Sequence, residues 1–370
     1  MQAQQKIRQA HILLITLRSL GTEIAKNLVL AGISSITILD GGVVTPADLG
    51  AGFFLSECSD QNIIGTSRAQ TALPILQRLN PRVAVHADTE DVRTKPSSYF
   101  MPFDVVIATD LDASTFNIVN MAARVYNRPF YAAGQHGMSG FIFNDLIEHQ
   151  FVIEREAANV PTKTGPESRT RSVVEVQTRK DEDSGKPMEH VTKKEKYSTF
   201  FLAEDAPLSA AYQSNRRRRR LVTPLLPCLR ALWEFSRLPG KTQAIASRED
   251  VAVFTRLAME KHRALGLPAE TLTPEVLRKF TQGLNCEVSP VAAMLGGQLA
   301  QDVINVLGRT RQPIQNMVVF DGDAMKASMF ALHPEGELGN GIFETTSKEM
   351  EAVNAAMAAG AGAGALSMQL

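Results

Sequence analysis

Residues 11–40 read HILLITLRSLGTEIAKNLVLAGISSITILD, and their apolar pattern predicts a strand, a helix and a second strand. The run from His11 to Leu17 is continuous and apolar, which is typical of a strand buried on both faces of a sheet. From Leu20 the apolar residues recur at helical spacing up to Gly32, a residue suited to a helix C-cap. A strand–helix–strand unit of about thirty residues favours a right-handed crossover in a parallel sheet.

The same alternation continues beyond this unit. We predict helices over 68–79 and 114–126, and strands over 82–86, 103–109 and 129–133. Pro74 is expected to kink or break the first of these helices, because proline lacks the N–H group of a helical hydrogen bond. The predicted fold class is therefore α/β, with a Rossmann-like, doubly wound sheet.

Composition divides the chain into five segments. They are the first part of the α/β domain (1–150), a flexible charged insert (151–200), a helical insert (201–285), a return segment of the α/β domain (286–333) and a low-complexity tail (334–370). We expect the charged insert not to order itself, because residues 152–196 contain no aromatic side chain. The tail ends in an Ala and Gly tract.

The return segment is predicted to contain a helix and a strand. Ser289 is expected to cap the helix, Pro290 to occupy its first position, and Gly308 to end it. The pair Gly296–Gly297 weakens a helix, so we expect it to mark a close backbone approach to the sheet or to a partner subunit. The strand should cover residues 316–320.

Charge and hydropathy exclude several functional classes. Lys plus Arg and Asp plus Glu both number 39, so the chain as a whole has no attraction for nucleic acid or anionic membrane. The longest apolar runs are too short to span a bilayer, and the first ten residues are polar. We expect an intracellular, soluble chain with no secretory signal, no membrane partner and no nucleic-acid partner.

The three cysteines are isolated from one another. Cys58, Cys228 and Cys286 form no CxxC pair and no metal-ligand spacing, so the sequence predicts neither a metal site nor a disulfide framework. We expect all three to be packed side chains rather than nucleophiles. His136 lies after the predicted strand 129–133, and we expect a turn histidine there rather than a general base.

The turn after the first strand resembles a nucleotide-binding turn but lacks most of its glycines. It reads Thr16-Leu-Arg-Ser-Leu-Gly21, and only the glycine that allows helix and strand to pack closely is present. The candidate cofactor-binding residues are Thr16, Ser19 and Gly21, together with Asp40 at the end of the second strand. Asp40 could bind a ribose hydroxyl or cap the turn at Gly41-Gly42, and the sequence leaves both readings open.

Several short motifs together carry a family resemblance. They are residues 12–15, 23–32, 38–40, 44–46, 65–69, 79–81, 289–302 and 320–322. With these motifs the chain resembles the adenylation fold of ubiquitin-like-protein activating enzymes from residue 1 to about 333. Within that family it is most similar to the smaller, non-catalytic subunits of heterodimeric SUMO-activating enzymes.

This resemblance implies a division of labour between two subunits. The partner binds ATP and magnesium, adenylates the C-terminal glycine of SUMO, and takes SUMO onto its own cysteine. The resemblance therefore implies no catalytic residue and no bound cofactor in this chain, and its partners are the catalytic subunit and SUMO. Consistent with this, Asp48-Leu-Gly-Ala-Gly52 stands where active subunits carry an Asn-Arg-Gln cluster for the nucleotide phosphates.

The N-terminus departs from the family pattern. Family members begin with a Tyr-Asp-Arg-Gln-x-Arg-like segment that ends in Trp-Gly, and an arginine from it reaches the partner's ATP. Met1-Gln-Ala-Gln4 resembles the residues that follow this Trp-Gly. We expect the natural start to lie upstream, and the alternative is a subunit without this arginine; Arg8 and Arg18 do not match its position.

Other functions remain as alternatives. One is the regulatory subunit of an activating enzyme for a Nedd-type modifier, and others are a stand-alone nucleotide-binding Rossmann enzyme and a binding scaffold without a catalytic role. The run Arg216–Arg220 is a nuclear-import signal or a solvated helix start. Since the resemblance implies a largely nuclear process, we expect the nucleus as the main location and the cytoplasm as a second.

Overall fold

Two β-sheets organise the part of the chain that the structure describes, which is residues 2–56, 62–157, 161–180 and 185–335 of a computed structural model. In these residues the strands are β1 His11–Ile15, β2 Ser35–Leu39, β3 Ala84–Asp88, β4 Val105–Thr109, β5 Phe130–His136, β6 Ser139–Asp145, β7 Glu148–Glu156, β8 Gly165–Pro166, β9 Arg171–Lys180, β10 Pro187–Lys196, β11 Met317–Asp321 and β12 Lys326–Phe330. The larger sheet has the order β12-β11-β6-β5-β4-β1-β2-β3, and the smaller one β7-β10-β9-β8.

The larger sheet has a parallel half and an antiparallel half. Strands β3, β2, β1, β4 and β5 pair in parallel, and β6, β11 and β12 continue the sheet in antiparallel pairs. The order 3-2-1-4-5 places a crossover on each side of β1, which is the arrangement of a Rossmann-like sheet. The predicted α/β fold class is confirmed.

Helices cover both faces of this sheet. They are α1 Gln2–Gln9, α2 Ser19–Ala31, α3 Pro46–Ala51, α4 Phe53–Ser56, α5 Arg68–Leu79, α6 Ala113–Val125, α7 Phe200–Asp205, α8 Ala210–Gln213, α9 Arg216–Arg219, α10 Leu225–Ser236, α11 Arg248–Ala264, α12 Pro274–Gln282 and α13 Ser289–Gly308. Short 3-10 turns lie at Val92–Thr94, Ser97–Phe100 and Ala269–Thr271.

Alternate side chains of the central strands enter two separate cores. In β1, Ile12 and Leu14 pack with α2, α5 and α13, whereas Leu13 and Ile15 face the core that α6 shares with α7 and α10–α12. In that second core Trp233 packs edge-on against Phe141 and Phe200. A strand that is buried on both faces needs apolar residues at every position, which explains the continuous apolar run of β1.

Helix α5 continues through Pro74, so the predicted break is wrong. Its bounds match the prediction, and the Ser67 hydroxyl accepts a hydrogen bond from the backbone N–H of Gln70 at its N-terminus. One proline removes one helical hydrogen bond. The burial of Ala72, Ile75 and Leu76 around it keeps the helix intact.

The charged insert forms ordered strands, so the expectation that it would not order itself is wrong. Strand β10 pairs along its length with β7 on one side and with β9 on the other. Ion pairs cross the sheet, among them the Lys193 ammonium with Glu167 at 2.5 Å. The buried carboxylate of Glu195 binds the Arg171 guanidinium and the Thr170 hydroxyl. Hydrogen-bonded strand pairing and these polar contacts replace the missing aromatic core.

Helix α13 begins differently from the prediction. Ser289 is its first helical residue, Val288 occupies the cap position without a side-chain bond, and the Ser289 hydroxyl donates to the carbonyl of Ala51 at 3.1 Å. The predicted N-cap role of Ser289 is therefore wrong, and so is the predicted first position of Pro290, which is the second helical residue. The end at Gly308 is confirmed.

Helix α13 crosses α2 at Gly296. A Cβ atom on Gly296 would lie 2.7 Å from the Cβ of Glu23 and 3.3 Å from the backbone nitrogen of Ile24. The close backbone approach predicted for the glycine pair is thus made to a neighbouring helix, not to the sheet. For Gly297, a Cβ atom would meet no described atom within 4 Å.

The two glycines should respond oppositely to alanine. We expect Gly296→Ala to lower the free energy of unfolding by about 1–3 kcal/mol, because the added methyl group forces the helices apart. We expect Gly297→Ala to raise it by about 0.5–1 kcal/mol, because alanine has the higher helix propensity. Urea unfolding of the isolated chain measures both, and equal effects of the two variants would contradict the close crossing.

The buried Asp302 of α13 is held by neutral donors. It accepts hydrogen bonds from the Tyr131 hydroxyl at 2.8 Å, the Asn144 amide at 3.2 Å and the backbone N–H of Ile314 at 2.9 Å. Burial raises the pKa of Asp302 from 3.8 to about 6, against the opposing effect of these hydrogen bonds. The folded state therefore binds a proton more tightly at this residue than the unfolded state does.

This raised pKa predicts a pH dependence of stability. Between the unfolded pKa of 3.8 and the folded pKa of about 6, the folded state holds more protons, so stability falls as the pH rises. We expect the unfolding free energy of the natural chain, minus that of Asp302→Asn, to fall by about 2 kcal/mol between pH 4 and pH 7. Urea unfolding of both proteins across this range measures the difference; a constant value would show that the pKa is not raised.

Candidate functional site

The carboxyl ends of β1, β2, β4 and β5 meet at one edge of the larger sheet. In doubly wound sheets, ligands bind at this edge, next to the strand where the order reverses. Here the turn from Thr16 to Gly21 leaves β1 and enters α2, as the sequence predicted. We call the residues at this place the carboxyl-edge site.

The turn keeps the backbone shape of a glycine turn although it has lost glycines. Thr16 has a φ of 71°, a left-handed conformation that non-glycine residues seldom adopt. The Thr109 hydroxyl donates to its carbonyl at 2.9 Å. A Cβ atom on Gly21 would lie 2.3 Å from the same carbonyl oxygen. Gly21 therefore serves the close packing of helix and strand that the sequence indicated.

The other hydroxyl in the turn is engaged within the chain. Ser19 is buried, and its Oγ donates to the carbonyl of Ala51 at 3.2 Å. The same carbonyl accepts the hydroxyl of Ser289, so both serines bind the last residue of α3. Ser19 thus joins the start of α2 to α3.

Asp40 lies beside this turn, and its carboxylate binds the chain's own backbone. Oδ2 accepts the N–H of Leu17 at 2.8 Å, and Oδ1 accepts the N–H of Gly42 at 2.7 Å. Oδ2 also lies 3.0 Å from Nε of Arg68 in an ion pair. These contacts match the turn-capping alternative of the sequence analysis and tie the turn after β1 to the turn after β2.

Arg68 joins Asp40 to α3, a role that the sequence analysis did not identify. Its Nη1 donates to Asp48 Oδ1 at 2.8 Å, while the other oxygen of Asp48 accepts the hydroxyl and backbone N–H of Thr45 in a capping box. A Cβ atom on Gly42 would lie 2.1 Å from Nη2 of Arg68, so glycine leaves room for the guanidinium. In the sequence, Arg68 belongs to the motif 65–69, which indicated the family resemblance but not this contact.

A second ion pair lies at the N-terminus of α2. Nε of Arg18 lies 2.5 Å from Oε1 of Glu287, a residue of the segment that precedes α13. Burial raises the pKa of Glu287, while the charge of Arg18 and the backbone N–H of Ser19 oppose this rise. Sequence reasoning missed Glu287, because the long stretch of chain between these two residues hides their contact.

Asp110, Gln135 and His136 complete the carboxyl-edge site. Asp110 has a φ of 52° and accepts the backbone N–H of Gln135 at 3.1 Å; burial raises its pKa to about 6, and the charge of Arg18 opposes the rise. His136 is the last residue of β5 and is buried, so the expectation of a turn histidine is wrong. Burial and the charge of Arg18 lower its pKa to about 4, which keeps its ring neutral near pH 7.

The cysteines differ from one another in exposure. Cys228 is buried, and burial raises the pKa of its thiol to about 12. Cys286 is exposed, with its Sγ 3.8 Å from the carbonyl of Gln282, so the expectation that it is packed is wrong. Its side chain lies at the surface, in the segment between α12 and α13. Cys58 lies outside the described residues. So does the predicted tail 334–370, of which the structure describes only residues 334 and 335.

The described residues contain neither a metal-ligand cluster nor a membrane-spanning helix. No three His, Cys, Asp or Glu side chains in them gather to hold a metal ion. No helix that the structure describes is long and apolar enough to cross a membrane. The basic run forms the short, exposed helix α9, and the guanidinium of Arg220 after it lies 3.2 Å from the carboxylate of Glu270.

Comparison with known proteins agrees with this fold. Residues 1–338 match the ThiF family, and the chain belongs to that family. It is 35% identical over 334 residues to DNA damage tolerance protein RHC31 of Saccharomyces cerevisiae, covering 89% of this chain and 92% of that protein. It is 30% identical over 328 residues to SUMO-activating enzyme subunit 1 of Homo sapiens, covering 87% and 88%. The Xenopus laevis protein of that name is 31% identical over 329 residues, covering 87% and 89%. The resemblance drawn from the motifs is confirmed.

Proposed function

We propose that this chain is the non-catalytic subunit of a heterodimeric SUMO-activating enzyme. The observation that carries the proposal is its similarity to proteins named SUMO-activating enzyme subunit 1, which extends over 87–89% of this chain. A similarity of this breadth includes the charged sheet and the helices of the second core as well as the Rossmann-like strands. The similarity is therefore one of the whole architecture and not of one nucleotide-binding motif.

The non-catalytic role is supported by the contacts at the carboxyl-edge site. A phosphate-binding turn needs free backbone N–H groups and room for the anion at a helix N-terminus. Here the carboxylate of Asp40 is bound to backbone N–H groups, the hydroxyl of Ser19 is bound to Ala51, and Arg18 is paired with Glu287. In this proposal the chain binds no nucleotide, and the catalytic subunit holds ATP and magnesium.

The thioester is likewise assigned to the partner. A nucleophilic cysteine needs exposure and a neighbour that favours its thiolate. Cys228 is buried, and the polar neighbour of the Cys286 Sγ is the backbone carbonyl of Gln282 at 3.8 Å. We therefore propose that SUMO is adenylated by the catalytic subunit and transferred to a cysteine of that subunit.

The proposal is tested by reconstitution. This chain is co-purified with a catalytic SUMO-activating subunit, and ATP-dependent SUMO thioester formation is measured with both subunits and with each one alone. We expect a one-to-one complex, and a thioester only when both are present. The matched control is the double variant Cys58→Ser, Cys286→Ser, which should leave the yield unchanged because neither thiol carries SUMO.

Each alternative function predicts a different outcome. Thioester formation with a Nedd-type modifier and its catalytic subunit, but not with SUMO, would assign this chain to that pathway. Absence of any complex, together with binding of ATP or a nicotinamide nucleotide by the isolated chain, would indicate a stand-alone enzyme. A stable complex that gives no increase in thioester would leave only a scaffold function.

We also propose that the protein acts mainly in the nucleus, with the cytoplasm as a second location. Arg216, Arg217 and Arg218 are exposed in α9, so receptor proteins can reach them. Fluorescence microscopy of the tagged chain tests this proposal. Replacing Arg216, Arg217 and Arg218 with alanine should reduce the nuclear fraction if the run is an import signal and leave it unchanged if the run is only a solvated helix.

A further inference from the structure

Helix α2 lacks an N-terminal cap from its own sequence. Arg18 occupies the cap position and makes no side-chain cap hydrogen bond, and the first turn contains no acidic residue. The helix is 13 residues long, and its first backbone N–H groups have no partner within the helix. Such an N-terminus carries a partial positive charge and attracts an anion.

An internal carboxylate lies where an external anion would bind. The side chain of Glu287 is nine-tenths buried, with Oε1 2.5 Å from Nε of Arg18. The backbone N–H of Ser19, at the start of α2, faces this carboxylate and favours its charged form. Apart from the ion pair, neither carboxylate oxygen has a hydrogen-bond partner among the described residues.

The backbone on both sides of Glu287 is attached to β5 and its turn. The carbonyl of Cys286 accepts the N–H of Gly137 at 2.9 Å, and the carbonyl of Val288 accepts the side-chain amide of Gln135 at 2.9 Å. These two hydrogen bonds fix the backbone on either side of Glu287 next to β5.

The surroundings of this carboxylate are suited to an oxyanion. Arg18 supplies a full positive charge, and the buried ring of His136 has an Nδ1 without a hydrogen-bond partner in the structure described. Asp110 is the opposing negative group, and its carboxylate accepts the N–H of Gln135. Removal of Glu287 would leave the Arg18 guanidinium without its ion-pair partner and the α2 N-terminus without the carboxylate that faces it, with Asp110 as the remaining negative group.

We propose that Glu287 is an internal anion that fills an oxyanion site formed by Arg18 and the N-terminus of α2, and that it excludes phosphate groups from this site. The site takes inorganic phosphate or the phosphate of a larger ligand once the carboxylate is removed. Glu287 is thus the residue that prevents phosphate from binding at this site. This inference concerns the isolated chain and does not depend on SUMO activation.

The test titrates the full chain with inorganic phosphate at constant ionic strength, by calorimetry and by thermal unfolding. We expect no saturable binding by the natural chain. Glu287→Ala should bind phosphate at least about tenfold more tightly, with a rise in Tm, because Arg18 and the helix N-terminus are then unpaired. Adding Arg18→Ala should abolish this binding, and adding Asp110→Asn should strengthen it.

The matched control is Glu23→Ala, which removes a carboxylate of the same helix that is paired with Lys26, one turn away from the N-terminus. It should gain no phosphate binding. Glu287→Gln keeps the side-chain volume and serves if the alanine variant does not fold. Saturable phosphate binding by the natural chain, its absence in a folded Glu287 variant, or binding that does not require Arg18 would each overturn the proposal.

Discussion

Replacing Asp145 with alanine is expected to lower the free energy of unfolding by about 3–5 kcal/mol, because it leaves the buried guanidinium of Arg124 without its counter-ion. Asp145 is fully buried at the end of β6. Its carboxylate lies 2.6 Å from Nη1 of Arg124 and accepts the Asn120 amide and the backbone N–H of Ile147, both at 2.9 Å. All of these donors lose their acceptor together.

The loss extends beyond one ion pair because the network joins three parts of the fold. Arg124 and Asn120 belong to α6. Arg124 also lies within hydrogen-bonding distance of the carbonyl of Tyr197, just after the charged sheet, and the Asn120 side chain accepts the N–H of Phe200 at the start of α7. Asp145 therefore holds α6, the charged sheet and the helices of the second core together.

Urea unfolding of the natural chain and of Asp145→Ala measures the effect. The matched control is Glu156→Ala, which removes a carboxylate 2.6 Å from Lys186 in an exposed ion pair. That variant should cost less than about 1 kcal/mol, because solvent screens the pair. Similar costs for the two variants would show that the Asp145 network contributes no more than a surface ion pair.

The parallel half of the fold could be predicted from the sequence because its signals are local. Each central strand is a short apolar run that is buried on both faces, as in β1 and β4. Helix α5 has the predicted bounds because Ser67 caps its start and Asn80-Pro81 ends its apolar period. These signals need no knowledge of distant residues.

The antiparallel parts depend on partners that a local pattern does not show. Strand β6 returns from β5 through a tight turn in which Gly137 has a φ of 60°, and β12 pairs with β11 as its only partner among the described strands. The sequence analysis predicted neither strand. In β10, charged side chains bind partners on neighbouring strands, so composition indicated disorder where the structure has a sheet.

At the carboxyl-edge site, some of the residues could be predicted from the sequence, but their contacts could not. The missing glycines were visible in residues 16–21. The pairing of Arg18 with Glu287 was not visible, since these residues lie in segments that meet only in the folded chain. The sequence left two roles open for Asp40, because an aspartate at this position can either cap the turn or bind a ribose hydroxyl.

Replacing Asp40 with alanine is expected to lower the free energy of unfolding by about 3–5 kcal/mol. The buried N–H groups of Leu17 and Gly42 lose their acceptor, at about 1–3 kcal/mol each, and Arg68 loses one of its two carboxylates. Asp40→Asn keeps one carbonyl oxygen and removes the charge, so we expect about half of the loss.

Urea unfolding and nucleotide titration of the same variants distinguish the two readings of Asp40. If Asp40 caps the turn, Asp40→Ala loses stability and the isolated chain binds no nucleotide before or after the change. If Asp40 is instead a ribose ligand, stability changes little and a nucleotide affinity of the natural chain disappears in the variant. The contacts of the Asp40 carboxylate favour the first result. One of its oxygens accepts the N–H of Leu17 and the other accepts the N–H of Gly42, so both oxygens already bind the chain's own turns.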